Sequence, residues 1–387
     1  MEKENLNQQA GISFFEASSI IVGHGVGSGI LSVPYIASKN SLREIIFVIL
    51  FCFGFNIILH LIIAELSLNN NGAQFINCLN NELLRGKLKT ALTWLAFGAL
   101  GLSVIVNVSA FLTGASAVFS SWFGCPRLLG ILIFYALGAG VVFFGIRLVG
   151  FCEKLAVSSM IIVVFVLFGA VILRDMLPIG MAWQGFGNAL ALFSMVSFSL
   201  SAVMSTPQIV KGLRGDAKKI RGAIILGLGI NTSLIFLITL TTLLGAGESI
   251  TENGALVDLA GVLGGWVSVV GYIFTLLALA TSFWANTLNL RDIVSEQLSI
   301  GERSSWLLAS LPCLVIAFLG LNSFVGFTRL ASVIQLVTGT GIIVAYNFSR
   351  KRVGKSRLVG KFGSAIFQVA VVLCTLLASL GAIIPID

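Results

Sequence analysis

Charge is what this sequence has least of. Asp, Glu, Lys and Arg make up only 10% of its 387 residues, against 57% hydrophobic residues, and the mean hydropathy is +1.01. A soluble globular chain of this length must cover itself with polar side chains, so that class is excluded. Histidine is nearly absent, with two copies, and the six cysteines form no CxxC or Cys/His spacing, which leaves no metal centre to propose. Cys52, Cys152, Cys313 and Cys374 fall in or at the ends of apolar stretches and read as packing residues. No HExxH and no Ser/His/Asp constellation occurs, so an enzyme is not expected. Alternating strand-like segments are missing too, which argues against a β-barrel. Met1 to Gln9 is polar and mixed in charge, unlike a cleavable signal peptide. No soluble domain, long linker or low-complexity tract is visible, so the function is expected inside a bilayer, without cofactor.

What is there is a series of apolar stretches of helix-spanning length. Eleven are marked, at 12–37, 45–68, 90–122, 128–146, 152–173, 187–209, 220–245, 263–289, 304–321, 323–347 and 363–385. The formal net charge is +8, but the basic residues lie between the spans, where they set topology and touch lipid headgroups rather than nucleic acid. With the N-terminus placed in the cytoplasm, 19 of the 24 Lys and Arg residues fall in inner loops. That asymmetry predicts a multi-pass protein of the cell membrane, N-terminus cytoplasmic and C-terminus external. Trp94, Trp122, Trp183, Trp266 and Trp306 sit near span ends, as interfacial aromatics do; Trp284 lies deeper in span eight.

Two spans are interrupted. Span one carries glycines at alternate positions, Gly23, Gly25, Gly27 and Gly29, within Val22–Tyr35. Each costs a continuous helix about 1 kcal/mol relative to alanine, so a break is predicted there, with bared backbone groups free to hold a ligand. Span six holds five serines and a threonine between Ser194 and Thr206, closed by Pro207. Such a stretch also occurs in tight helix packing through small residues. The two interrupted spans are the first members of two groups of five and run in opposite directions. That pattern predicts an inverted repeat, 12–173 and 187–347, within a single transporter domain over 1–387, with 363–385 an extra helix.

Gly27-Ser28-Gly29-Ile30-Leu31-Ser32-Val33-Pro34-Tyr35, Pro207 followed by the basic stretch from Lys211 to Arg221, and Thr281-Ser282-Phe283 followed by Leu290 and Asp292 together resemble the amino acid/auxin permease family of the amino acid–polyamine–organocation superfamily. Bacterial aromatic permeases of that kind often carry a histidine in span six, where Val203 and its neighbours stand here. The resemblance implies an all-α, leucine-transporter-type 5+5 inverted repeat with discontinuous helices one and six. It also implies cation-coupled uptake, by Na⁺ or H⁺, of neutral, hydrophobic or aromatic amino acids. An exchanger and a sensor keeping the same fold are the alternatives. A polyamine carrier is disfavoured because no buried acid is evident in the binding region.

A zwitterionic substrate needs donors for its carboxylate and acceptors for its ammonium. Amides of Ser28, Gly29 and Ile30, at the start of the outer half of span one, suit the carboxylate. Carbonyls of Gly23, Gly25 and Val26, beside Gly27, with those near Ser197, Phe198, Ser199 and Ser201, suit the ammonium. Asn107, Phe111, Phe198 and Trp284 are candidate walls of the side-chain pocket. Under the resemblance, Thr281 and Ser282 with the Gly23 and Val26 carbonyls form a sodium site; the other reading is that these hydroxyls bond back to their own helix. His24, inside the first break, and Glu65, in span two beside His60, are the candidates for carrying a coupling proton. His24 also reads as a supporting hydrogen-bond residue and Glu65 as a structural cap. Lys154 reads as snorkelling and Arg329 as an outer-gate or headgroup residue. Oligomeric state is not legible.

Overall fold

The computed structural model describes residues 11–27, 29–84, 86–174, 176–180, 182–183, 185–247, 250–251, 255–320 and 340–384. No strand occurs among them. Span one is two helices, α1 (Phe14–Val26) and α2 (Gly29–Ser38), bent by 53° at the break. There follow α3 (Leu42–Asn69), α4 (Phe75–Glu82), α5 (Lys89–Phe123), α6 (Arg127–Phe143) and α7 (Ile146–Ile172). Span six is again two helices, α8 (Phe186–Leu200) and α9 (Thr206–Gly212), joined by a single 3₁₀ turn over Val203–Ser205. Then come α10 (Ala217–Ala246), α11 (Ala255–Leu263), α12 (Trp266–Leu298), α13 (Glu302–Leu319), a helix over 340–353 (α14) and α15 (Ala365–Gly381).

Local chemistry sets the boundaries. Ser13 with Glu16 and Ser41 with Glu44 form capping boxes that start α1 and α3, each satisfying two of the free amides of a helix start. Asp216 accepts from the amides of Lys218 and Lys219 at the head of α10. Gly124 and Gly320 end α5 and α13 in left-handed conformation. Hydropathy misses α4 and α11, which are short helices in predicted loops. It also ends span eight too early: α12 runs to Leu298. Seven described helices are long and apolar enough to cross a bilayer, the bent α1–α2 pair makes an eighth, and α6 and α15 are shorter apolar helices. Most of the predicted tenth span, with Arg329, lies outside the described residues.

Spans one, two, six and seven (α1–α2, α3, α8–α9, α10) pack on one another, and spans three, four, eight and nine (α5, α6, α12, α13) form a second group. Helix α1 lies between them, against α10, α7 and α12, while α15 packs on α8 and α3. Large apolar side chains point outward from α3 (Phe47, Leu50, Phe51), α7 (Ile162, Phe165) and α15 (Ile366, Val369), the surface expected against lipid.

On the side carrying most basic loops, polar contacts tie the two groups together. Lys211 Nζ of α9 lies 3.5 Å from Glu296 of α12, whose carboxylate also accepts from the Gln74 amide and Asn77. Glu82 of α4 pairs with Arg352 at the end of α14. Burial alone would raise the Glu82 carboxyl, but hydrogen bonds from Arg352 and Asn70 outweigh it and hold the group below its ordinary range. A lowered carboxyl contributes stability that is complete above the unfolded value and lost as pH falls through the folded one. Thermal unfolding in detergent is therefore expected to separate wild type from Glu82→Gln at neutral pH, with the gap closing below about pH 4; a gap independent of pH contradicts the assignment.

Candidate functional site

The glycines of span one explain why two broken helices can meet. At Gly25 a Cβ would overlap Asn231 Nδ2 and lie 2.9 Å from the Ser199 carbonyl; at Gly29 it would overlap Ser199 Oγ. Gly27 has φ of +30°, and a Cβ there would lie 2.8 Å from Ser282 Oγ. Close approach, rather than flexibility, is what most of these glycines supply; only Gly27 needs a backbone that other residues avoid.

Breaking a helix inside a bilayer bares backbone groups that must find partners. The Ala202 amide, freed where span six unwinds, donates to His60 Nε2 at 3.0 Å, and His60 Nδ1 donates to the Asn56 carbonyl at 2.7 Å. An acceptor Nε2 and a donor Nδ1 define one neutral tautomer of a fully buried ring. Asn231 donates to the Ser199 carbonyl at 2.9 Å. Ser282 donates to the Gly23 carbonyl at 3.2 Å. His24 Nδ1 and the Ser205 hydroxyl share a hydrogen bond at 2.7 Å, which links the two broken spans directly.

Between the breaks lies a cavity of about 30 Å³, lined by His24, Gly25 and Gly27 of span one, Asn107 and Phe111 of α5, Phe198, Ser201, Val203 and Met204 of span six, and Ser282 and Asn286 of α12. That space suits water, whereas ligand pockets run to several hundred Å³. The walls must part to admit an amino acid. Asn107 and Asn286 each have a buried side-chain carbonyl without a partner among the described residues. Phe111 and Phe198 contribute aromatic wall to the same cavity.

Several expected site residues meet here: His24, Gly25, Gly27, Asn107, Phe111, Phe198, Ser201 and Ser282. Others do not line the cavity. Trp284 packs partly buried among apolar side chains around Trp306 and Leu288, because its helical phase turns it away from Ser282. Ser197 faces Cys52 Sγ at 3.3 Å. Val26 and Ile30 are buried in an apolar core. The Ser199 hydroxyl bonds back to Met195, and Thr281 to Ala278. Glu65 is a structural anchor: its Oε2 accepts from the Ser356 hydroxyl and from the amides of Leu358 and Val359, holding the loop between α14 and α15. Ser28 lies outside the described residues.

Three contributors escaped the sequence reading. Asn231 and Asn286 look like ordinary span polar residues until the packing puts them at the breaks. The third is Glu153, which the hydropathy boundary puts at the first turn of span five. Because α7 starts at Ile146, Glu153 is two turns in and fully buried, and a Cβ at Gly23 would overlap its Oε2. A buried acid does therefore stand behind the binding region. His60 was noted only as a neighbour of Glu65; its role is to cap span six.

Residues 11–377 match the model of the tryptophan/tyrosine permease family. This corrects the resemblance to the amino acid/auxin permeases. The alternate glycines sit where the break requires close approach and Pro207 sits at the start of α9, so these residues report the broken-helix geometry more than the family. No curated protein matches in sequence. Among solved structures, MhsT in complex with L-phenylalanine is 14% identical with a TM-score of 0.68, covering 97% of this chain and 100% of that one. Mhp1, a nucleobase-cation-symport-1 family transporter in a closed conformation with bromovinylhydantoin bound, is 14% identical with a TM-score of 0.64, covering 97% and 90%. The fold is the leucine-transporter type, with spans one and six discontinuous.

His60→Ala is expected to strand the buried Ala202 amide and cost about 1–3 kcal/mol. The check is a lower Tm in detergent; an unchanged Tm contradicts the capping role.

Proposed function

The chain belongs to the tryptophan/tyrosine permease family and is a secondary amino acid transporter, and on that premise we propose that it takes up aromatic amino acids through the cavity between its two broken spans, coupled to the inward movement of a cation. The observation that carries the substrate reading is the convergence of bared backbone at Gly25, Gly27 and Ser201 with two phenylalanine walls, Phe111 and Phe198, on one cavity. Polar groups and aromatic rings on one cavity match a zwitterion with an aromatic side chain.

The amino-terminal amides of α2, at Gly29 and Ile30, present a helix start to the carboxylate. The Gly25 carbonyl and the side-chain carbonyls of Asn107 and Asn286 are acceptors suited to the ammonium. Transport is by alternating access. The Lys211–Glu296 pair and the contacts around it hold the basic side shut, and they must separate for release on that side. The charge bias supports that side being cytoplasmic, in the cell membrane, with the N-terminus inside and the C-terminus outside.

Counterflow of labelled tryptophan, tyrosine, phenylalanine and alanine in proteoliposomes tests the reading. Aromatic substrates are expected to exchange and alanine poorly; no flux of any of them removes it. Phe111→Ala is expected to weaken tryptophan by about 1 kcal/mol, several-fold in KM, through the lost ring contact. Gly29→Leu is expected to abolish flux in a protein that still inserts, since even a Cβ collides with Ser199; an unchanged KM in Phe111→Ala, or retained flux in Gly29→Leu, contradicts the placement.

A further inference from the structure

Glu153 is the one buried acid of the described membrane spans for which neither hydrogen bonding nor an ion pair accounts. The residue is 0% exposed, and neither carboxyl oxygen has a partner among the described residues. The carboxyl packs against Gly23, the residue before His24: a Cβ there would overlap Glu153 Oε2 and lie 2.8 Å from the Thr281 Cβ of α12. Three elements therefore converge there: α7, α12 and the inner half of the broken span one.

We propose that Glu153 is the coupling group of this transporter: it carries one proton through the cycle, and the coupling ion is H⁺. The inference rests on the transporter reading above and deepens it.

Isolated ionised carboxylates are strongly disfavoured in a dry interior unless a charge or several donors meet them. Nothing does so here. From α1, Glu16 packs on Gly150 one turn away with its carboxylate committed to the Ser13 amide, and His24 turns to Ser205. From α12, Arg291 is paired with Asp292. Helix α10 brings Lys218, Lys219 and Arg221 only at its exposed start, and α6 brings Arg127 at its first residue, where it donates to the Ala317 carbonyl, and Tyr135, whose hydroxyl pairs with Ser310. On α7 itself, Arg147 is exposed at the helix start and Lys154 lies over the Phe151 ring. The closed arrangement thus accepts the neutral acid and rejects the carboxylate.

That discrimination is the coupling. When α1 swings away from α7 and α12, the carboxyl is hydrated and exchanges its proton with the open side. When the helices close on Gly23 around substrate, only the protonated form is tolerated. A proton bound outside with substrate is released inside with it, and the empty carrier returns as the carboxylate, with α1 held off α7 and α12 and the carboxyl hydrated. Substrate and proton move together because the next residues of α1, His24 and Gly25, line the cavity. A sodium ion at Gly23, Val26, Thr281 and Ser282 fits less well. The Ser282 hydroxyl is spent on the Gly23 carbonyl, Thr281 bonds back to Ala278, and the Glu153 carboxyl already packs against Gly23.

The test uses purified full-length protein in proteoliposomes with labelled L-tryptophan and the membrane potential clamped to zero. Wild type is expected to accumulate tryptophan along an inward pH gradient without sodium, up to about ten-fold per pH unit at one proton per substrate. Glu153→Gln, a permanent mimic of the neutral acid, is expected to lose accumulation altogether yet keep counterflow within several-fold. Glu153→Asp retains a titratable group and is expected to recover part of the accumulation. Accumulation that follows Na⁺ instead of pH, or that survives in Glu153→Gln, overturns the proposal. So does loss of both counterflow and tryptophan-induced thermal stabilisation in Glu153→Gln, which marks a structural residue. Wild type without counterflow removes the transporter reading itself, and this one with it.

Discussion

Inside a bilayer every peptide group must be bonded to something, and two membrane helices here are unwound in the middle. Everything at the centre of the molecule answers that constraint. His60, Asn231 and Ser282 reach from three other spans to the amide of Ala202 and the carbonyls of Ser199 and Gly23. Each is a side chain whose apolar replacement would leave a buried group unpaired. Beside these partners, the side-chain carbonyls of Asn107 and Asn286 remain without one among the described residues, and they line the cavity between the breaks.

The same constraint explains the glycines. Partners can reach the backbone of α1 and α2 only where no side chain intervenes. At Gly25 and Gly29 the neighbours come so near that a Cβ would overlap them. Those glycines cost helix stability and give in exchange a backbone that Asn231, Ser199 and Ser282 can touch. Span one is thus held from three sides, by α10, α7 and α12, and a small movement of it alters the cavity and the Glu153 environment together. In the proposed cycle, one element that both lines the cavity and packs on a protonatable group is the physical basis for coupling.

Much of this was legible in residue order. Span positions, the two interruptions and the loop charge bias follow from hydropathy, glycine and proline placement, and Lys/Arg counts, all one-dimensional signals. That Gly25, Gly27, Phe111, Phe198, Ser201 and Ser282 would line one cavity was legible because they sit at or opposite a break. The family was not: the glycines in the motif that carries the resemblance answer to the close approach at the break, which reports geometry rather than family. Trp284 and Ser197 show the limit within the site. Each lies near true lining residues in sequence, but its helical phase turns it elsewhere, Ser197 toward Cys52 and Trp284 into an apolar cluster.

By itself, then, the sequence determined a multi-pass helical protein with two broken spans, because the bilayer imposes a length, a polarity and a backbone rule that any stretch either obeys or conspicuously violates. Only the tertiary structure decided which polar side chain meets which freed backbone group. It made Glu65 a loop anchor, turned Thr281 back on its own helix while Ser282 reached across, and moved Glu153 from the apparent edge of span five to the back of Gly23. Those assignments depend on where each helix starts, how it is rotated and which helix lies beside it. Hydropathy averages over a span and carries none of the three.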